Sequence, residues 1–221
     1  RLTKLQALFF ANSPFTQDAI ATGWADENSE YAKQYMNEDL SWSKMESLTD
    51  VELYNCPNMT RLPEFIFDLP DLQLLNIACN RGIKPDDILT DWQKLADDED
   101  TGPKIQILYM GYNNLEAFPL HESLKKMVKL GLLDCIHNNI KTLNPFGTEV
   151  KLSDLKLDYN QIEVIPDDFC AFTDQVEGLG FSHNELKYIP NIFNAKSVYV
   201  MGSVDFSYNK IGSEGKNINC P

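Results

Sequence analysis

Basic residues are scarce in this chain: 19 Lys and Arg stand against 33 Asp and Glu, for a formal charge of −14. Binding to phosphate backbones needs clustered Lys and Arg, so nucleic acid is excluded as a partner, and an anionic membrane surface is disfavoured on the same ground. No apolar run approaches ~18 residues and no charged-then-apolar leader opens the chain, so neither a membrane span nor a signal peptide is read and no direct membrane insertion is expected. Cysteine is present five times, an odd number, and Cys79, Cys170 and Cys220 show neither CxxC nor Cys-His spacing. That argues against a metal site or a disulfide framework, and the cysteines do not settle the compartment. A Gly-rich phosphate loop and a nucleophile elbow are both missing. The expectation is a non-enzyme with no catalytic residue, no cofactor and no metal.

What is present is repetition. Leu152, Leu155, Leu157, Asn160 and Ile162 are followed in the same spacing by Val176, Leu179, Phe181, Asn184 and Leu186, then by Met201, Val204, Phe206, Asn209 and Ile211. Reading outward adds five units, anchored on Leu130/Leu133/Cys135/Asn138, Ile105/Leu108/Met110/Asn113, Leu72/Leu75/Ile77/Asn80, Leu48/Val51/Leu53/Cys56 and Leu5/Leu8/Phe10/Ser13. Each unit exposes an apolar edge that only a neighbouring unit can cover, so eight such units predict a solenoid. The inward pair alternates with polar or small residues, the period-2 signal of a short strand, and each unit should add one strand to a parallel sheet. A buried amide at the Asn position can bond the backbone groups left unpaired where the chain turns out of the strand. Ser13 and Cys56 stand there instead in the first two units. Cys56 and Cys135 are best read as buried free thiols.

Beyond the Asn, Leu62-Pro63, Phe118-Pro119, Ile165-Pro166 and Ile189-Pro190 recur, with Phe169 and Phe193 three residues after the last two. Proline fixes φ and suits turns or first helical turns, so the convex side should carry short helices and extended turns. The eight LxxLxLxxN units, from Leu5 to Ile211, resemble the leucine-rich repeat superfamily. With their Pro…Phe connections and long acidic insertions they also look like exported leucine-rich repeat proteins of gut Bacteroidetes. The resemblance implies an α/β fold, a right-handed horseshoe with a concave parallel sheet of about eight strands. Residues 1–221 are then one such domain, a fragment of a chain expected to continue beyond Pro221, with insertions at about 16–45 and 84–103.

The insertions carry the charge. Residues 16–50 hold eight acids and two bases, and residues 86–100 hold seven acids and one base. Tyr31, Tyr35, Met36, Leu40, Trp42 and Met45 in the first read as one or two short helices. In the second, Ile88, Leu89, Trp92, Leu95 and Ala96 fall on one helical stripe that should lie on the solenoid. Asp97, Asp98, Glu99 and Asp100 read as a solvated face, because the alternating ligand spacing of a calcium loop is absent.

Eight strands about 4.8 Å apart make a concave sheet on the order of 34 Å across, wide enough for a protein or peptide. The column just before the Asn reads Tyr112, His137, Tyr159, His183 and Tyr208, a ladder of rings that combine contact area with a polar tip. Tyr109, Asp134, Lys156, Asp158 and Asp205 flank it. Tyr54 and Asn55 extend this face toward the first half, and Ala78, Cys79 and Gly111 interrupt it. Two strands separate His137 from His183, roughly 10 Å, too far to share a metal or a proton. These ten ring and flanking residues are the predicted binding surface of a monomeric recognition module taking a protein or peptide. Alternatives are a cell-surface adhesin binding glycan or matrix and the substrate-selecting repeat arm of a larger enzyme. An extracellular or cell-surface location is expected, with the cytoplasm as the alternative.

Overall fold

The computed structural model describes residues 4–16, 42–99, 102–119, 121–144, 152–166, 169, 175–189 and 199–212. Eight strands form one sheet: β1 (Ala7–Phe9), β2 (Asp50–Glu52), β3 (Leu74–Asn76), β4 (Ile107–Tyr109), β5 (Leu132–Asp134), β6 (Asp154–Lys156), β7 (Gln175–Gly180) and β8 (Tyr199–Asp205). Every neighbouring pair is parallel and the spatial order is the chain order, as expected when each repeat packs only on the next. The register aligns template positions. Leu8, Val51, Leu75, Leu108, Leu133 and Leu155 stand in one row, and Leu179 pairs with Val204.

From Leu48 to Leu186 the inward positions form one continuous apolar core. Phe118, Phe169 and Phe181 extend it as a spine of edge-on ring contacts at 6.3 and 6.1 Å, and Phe206 stacks on Phe181 at 5.7 Å. On the convex side, short helical turns follow Pro63 and Pro119, two of the four prolines named above, while Pro190 and most of the connection after Pro166 lie outside the described residues. A 3-10 turn follows Pro63 (Glu64–Asp68), and the helices are α1 (Pro85–Asp97) and the single turn α2 (His121–Leu124).

Helix α1 occupies the second long interval. Pro85 sits in its first turn beside Asp86 and Asp87, whose charges suit the positive end of the helix dipole. Ile88, Trp92, Leu95 and Ala96 are buried, with Leu89 packed beside them, so the stripe read from the sequence lies on the solenoid. Polar contacts fix it to both neighbouring repeats: Lys94 pairs with Glu64 at 2.5 Å, Asp97 pairs with Lys126, and Asp91 accepts from the Leu62 N–H at 2.8 Å. The first insertion between 17 and 41, Phe193, Asp100, Cys170 and Cys220 lie outside the described residues.

The Asn positions form a second ladder, beneath the sheet's turn. Each Nδ2 donates to a carbonyl of its own repeat and to one of the repeat before: Asn160 to Leu157 and Cys135, Asn184 to Phe181 and Leu157, Asn138 to Cys135 and Met110. Each Oδ1 accepts a backbone N–H of the preceding repeat, such as Ile140 for Asn160 and Ile162 for Asn184. Cys56 substitutes for the amide. Its thiol donates to the Phe10 carbonyl, the atom equivalent to those its Asn counterparts reach, so this turn is closed in the same way. Cys56 and Cys135 are free and buried as expected, and burial pushes both thiols up in pKa.

A candidate binding surface on the concave face

Strand alternation turns one side chain of each pair away from the core, and the turn that follows presents one more. That last residue, immediately before the Asn position, is left-handed in every repeat: Asn12, Asn55, Cys79, Tyr112, His137, Tyr159, His183 and Tyr208 have φ between 50° and 64°. An L-residue there costs roughly 1 kcal/mol or more, and glycine would avoid it. The shared conformation lines the column up.

The five rings stack face to face along it. Centroids lie 4.2 Å apart for Tyr112–His137, 4.0 Å for His137–Tyr159, 4.0 Å for Tyr159–His183 and 4.1 Å for His183–Tyr208, with planes within 22°. Neighbouring rings therefore cover each other's faces, and the column offers its edges. Tyr159 is 44% exposed and Tyr208 76%; Tyr112, His137 and His183 are half-buried. In the first half the column continues without rings. Asn55 donates to Asn12 at 2.8 Å, and the Cys79 side chain bonds Tyr54, pushing the Tyr54 hydroxyl up in pKa.

The flanking acids behave differently from the sequence expectation. Asp134 is 7% exposed rather than solvent-facing, because its Oδ1 turns back to accept from Ile136 N at 3.0 Å. Burial raises its pKa against that bond. Asp205 makes the same i to i+2 bond to Ser207 N at 2.8 Å but is exposed, so the bond dominates and its pKa is lowered. Asn76 repeats the motif with Ala78 N, which makes it a structural Asx turn at strand ends. Asp158 reaches across to the next repeat, accepting from Ser182 N at 2.9 Å and Ser182 Oγ at 2.7 Å. Gly180 makes room for it: a Cβ there would stand 2.0 Å from Asp158 Oδ2. Lys156 and Tyr109 are half-buried in strands β6 and β4.

An apolar stripe was not read from the sequence. Leu74, Ile107 and Leu132 pair directly across β3, β4 and β5, half-buried, on the face opposite buried Leu75, Leu108 and Leu133. The doublets Leu74-Leu75, Ile107-Leu108 and Leu132-Leu133 carry the signal, since strict alternation leaves the first of each facing outward. Among the described residues no group of three or more His, Cys, Asp or Glu could hold a metal ion.

Burial holds His137 below its ordinary pKa of 6.5, partly opposed by the Asp158 carboxylate. The fold thus disfavours the imidazolium. The stabilisation is complete above the ordinary value and is lost as pH falls below it toward the depressed one. An NMR titration of the His137 ring should give a midpoint below 6.5. A midpoint above it would contradict the ring's burial in the stack.

The chain matches proteins of the same architecture. Over its whole length it is 76% identical to a leucine-rich repeat protein from Bacteroides thetaiotaomicron, with a TM-score of 0.88, and spans 26% of that chain. A second, from Bacteroides eggerthii, is 57% identical over 99% of this chain, with a TM-score of 0.87, and 35% of it is spanned. The chain is a leucine-rich repeat protein. This repeat protein is also 31% identical to rat lumican over 176 residues, which are 78% of this chain and 46% of lumican. It spans less than half of each of these relatives. No family model matches it. Among the described residues no helix is long and apolar enough to cross a membrane.

Proposed function

We propose that this leucine-rich repeat domain is a non-enzymatic recognition module that binds a protein or peptide across the second half of its concave face. The observation that carries the reading is the ring ladder. Five Tyr and His side chains stand in a left-handed backbone position where glycine is cheaper, and they stack so that neighbouring rings leave their edges open. Stacking closes both faces of His137, Tyr159 and His183 to a sugar ring, which weakens the glycan alternative along the middle of the ladder. Exposed polar edges beside the Leu74–Ile107–Leu132 stripe suit a polypeptide that offers backbone hydrogen bonds and apolar side chains. Lys156 and Asp205 add charged contacts, whereas Asp134 and Asp158 position backbone and neighbours. The location we assign is extracellular or cell-surface, as the resemblance to exported Bacteroidetes proteins implies.

Site-specific photo-crosslinking tests this. A benzophenone side chain at Tyr159 should trap a polypeptide partner, and one at Val128, on the connection between α2 and β5, should trap none. Equal trapping at both positions would move the site off the concave face.

A further inference from the structure

One row of the concave sheet has a defined chemical order. The first residues of β2 to β6 pair directly as Asp50, Leu74, Ile107, Leu132 and Asp154, each half-buried, on the face opposite the core. A carboxylate thus stands at each end of the apolar stripe. Strand steps of about 4.8 Å from β2 to β6 put the two carboxylates roughly 19 Å apart. Neither aspartate forms an ion pair among the described residues. Asp50 accepts from Thr49 Oγ at 2.5 Å, and Asp154 lies over Gly178, where a Cβ would stand 2.2 Å from its Oδ1.

The cations are used elsewhere. Lys94, Lys125, Lys126, Lys187 and Lys210 hold carboxylates on the connections between strands. The strands themselves carry Asp50, Glu52, Asp134, Asp154, Glu177 and Asp205 against one cation, Lys156, which stands beside Asp134 in register. Carboxylates that no internal cation neutralises are complemented by cations on a partner. An extended chain turns side chains i, i+2, i+4 and i+6 to one face and spans about 20 Å between the first and the last, which matches the row. We propose that this row binds an extended segment of the partner with basic side chains at i and i+6 and apolar ones at i+2 and i+4. The inference rests on the concave-face reading above and names the chemistry of the polypeptide bound there.

Fluorescence anisotropy of the labelled peptide Lys-Thr-Val-Thr-Val-Thr-Lys on this chain tests it. The control Lys-Lys-Thr-Val-Val-Thr-Thr keeps composition and charge without the spacing, so it measures the general attraction of cations to a chain of charge −14. The spaced peptide should bind about tenfold or more tightly than the control. Asp50→Asn combined with Asp154→Asn, both near-isosteric, should weaken it by about 3- to 10-fold and flatten its salt dependence. Ile107→Thr, which keeps a β-branched side chain in the strand, should weaken it by about 3- to 10-fold. A circular-dichroism melt checks that each variant is folded. Phe in place of Tyr112, Tyr159 and Tyr208 should leave peptide binding unchanged, because the row stands at the start of the strands and the rings beyond their end. No saturable binding, equal binding of the control, or an Asn or Thr variant that binds like the parent would each overturn this inference alone, since none of these changes touches the rings. Binding lost on the Phe variant and kept on the Asn variant would place the peptide on the ladder, overturning the row assignment while supporting the concave face as the site. Failure of the concave-face reading shows separately, as equal trapping at Tyr159 and Val128.

Discussion

Replacing Asn160 and Asn184 together with Ala is expected to destabilise the domain by more than the two single replacements combined. Each single change orphans one buried N–H, that of Ile140 or Ile162, and should cost about 1–3 kcal/mol. The carbonyls survive a single change because the ladder shares them. Leu157 O accepts from both Asn160 and Asn184, and Cys135 O from both Asn138 and Asn160. The double change strips both side-chain donors from Leu157 O, so an excess of roughly 0.5–3 kcal/mol is expected, a large share of a domain's net stability. The pair Asn138 and Asn184 shares no carbonyl, and its double replacement should be additive. Denaturant melts of the single and double variants check both statements. An additive Asn160/Asn184 pair would show that the shared carbonyl does not couple the repeats.

Tyr112, Tyr159 and Tyr208 together replaced with Ala should weaken partner binding by about 100-fold or more, since buried Tyr anchors commonly contribute 1 kcal/mol or more each and 1.4 kcal/mol is tenfold. The same variant should also melt lower. Every stacked pair in the ladder contains one of these three tyrosines, so all four contacts are lost, at roughly 0.2–1 kcal/mol per pair. Binding loss from the Ala variant alone would therefore mix two causes. Phe at the same three positions separates them. It keeps the stack and removes the hydroxyl edges, so its melt should match the parent while its affinity falls by about tenfold. Equal affinity for the Phe variant and the parent would mean that the polar edges are not what a partner meets.

The architecture was legible because it rests on spacing. The LxxLxLxxN units fixed strands, register and the buried amide, and the positions of Ile88, Trp92, Leu95 and Ala96 fixed the face of α1. The ring column was legible for the same reason, because its place before Asn puts it outside the core. What spacing could not convey was side-chain direction. Asp134 and Asp158 stand at outward positions, yet a short carboxylate within reach of an unpaired N–H turns to it, and so neither projects as a free contact. The left-handed backbone beneath the rings was hidden as well. Tyr and Cys carry no sequence signal for positive φ, and only the repeated turn imposes it. Cys56 was legible as a departure from the Asn pattern but not as its chemical replacement, which depends on the Phe10 carbonyl lying within reach.

The central claim is that the edges of the ring ladder recognise a polypeptide. Affinity capture from the culture fluid and lysate of the native host, run in parallel on the parent domain and on the variant with Phe at 112, 159 and 208 and read by quantitative mass spectrometry, addresses it most directly. The account predicts at least one polypeptide enriched on the parent and depleted about tenfold on the variant, both proteins having the same melting temperature. Partners recovered equally on the two would contradict it.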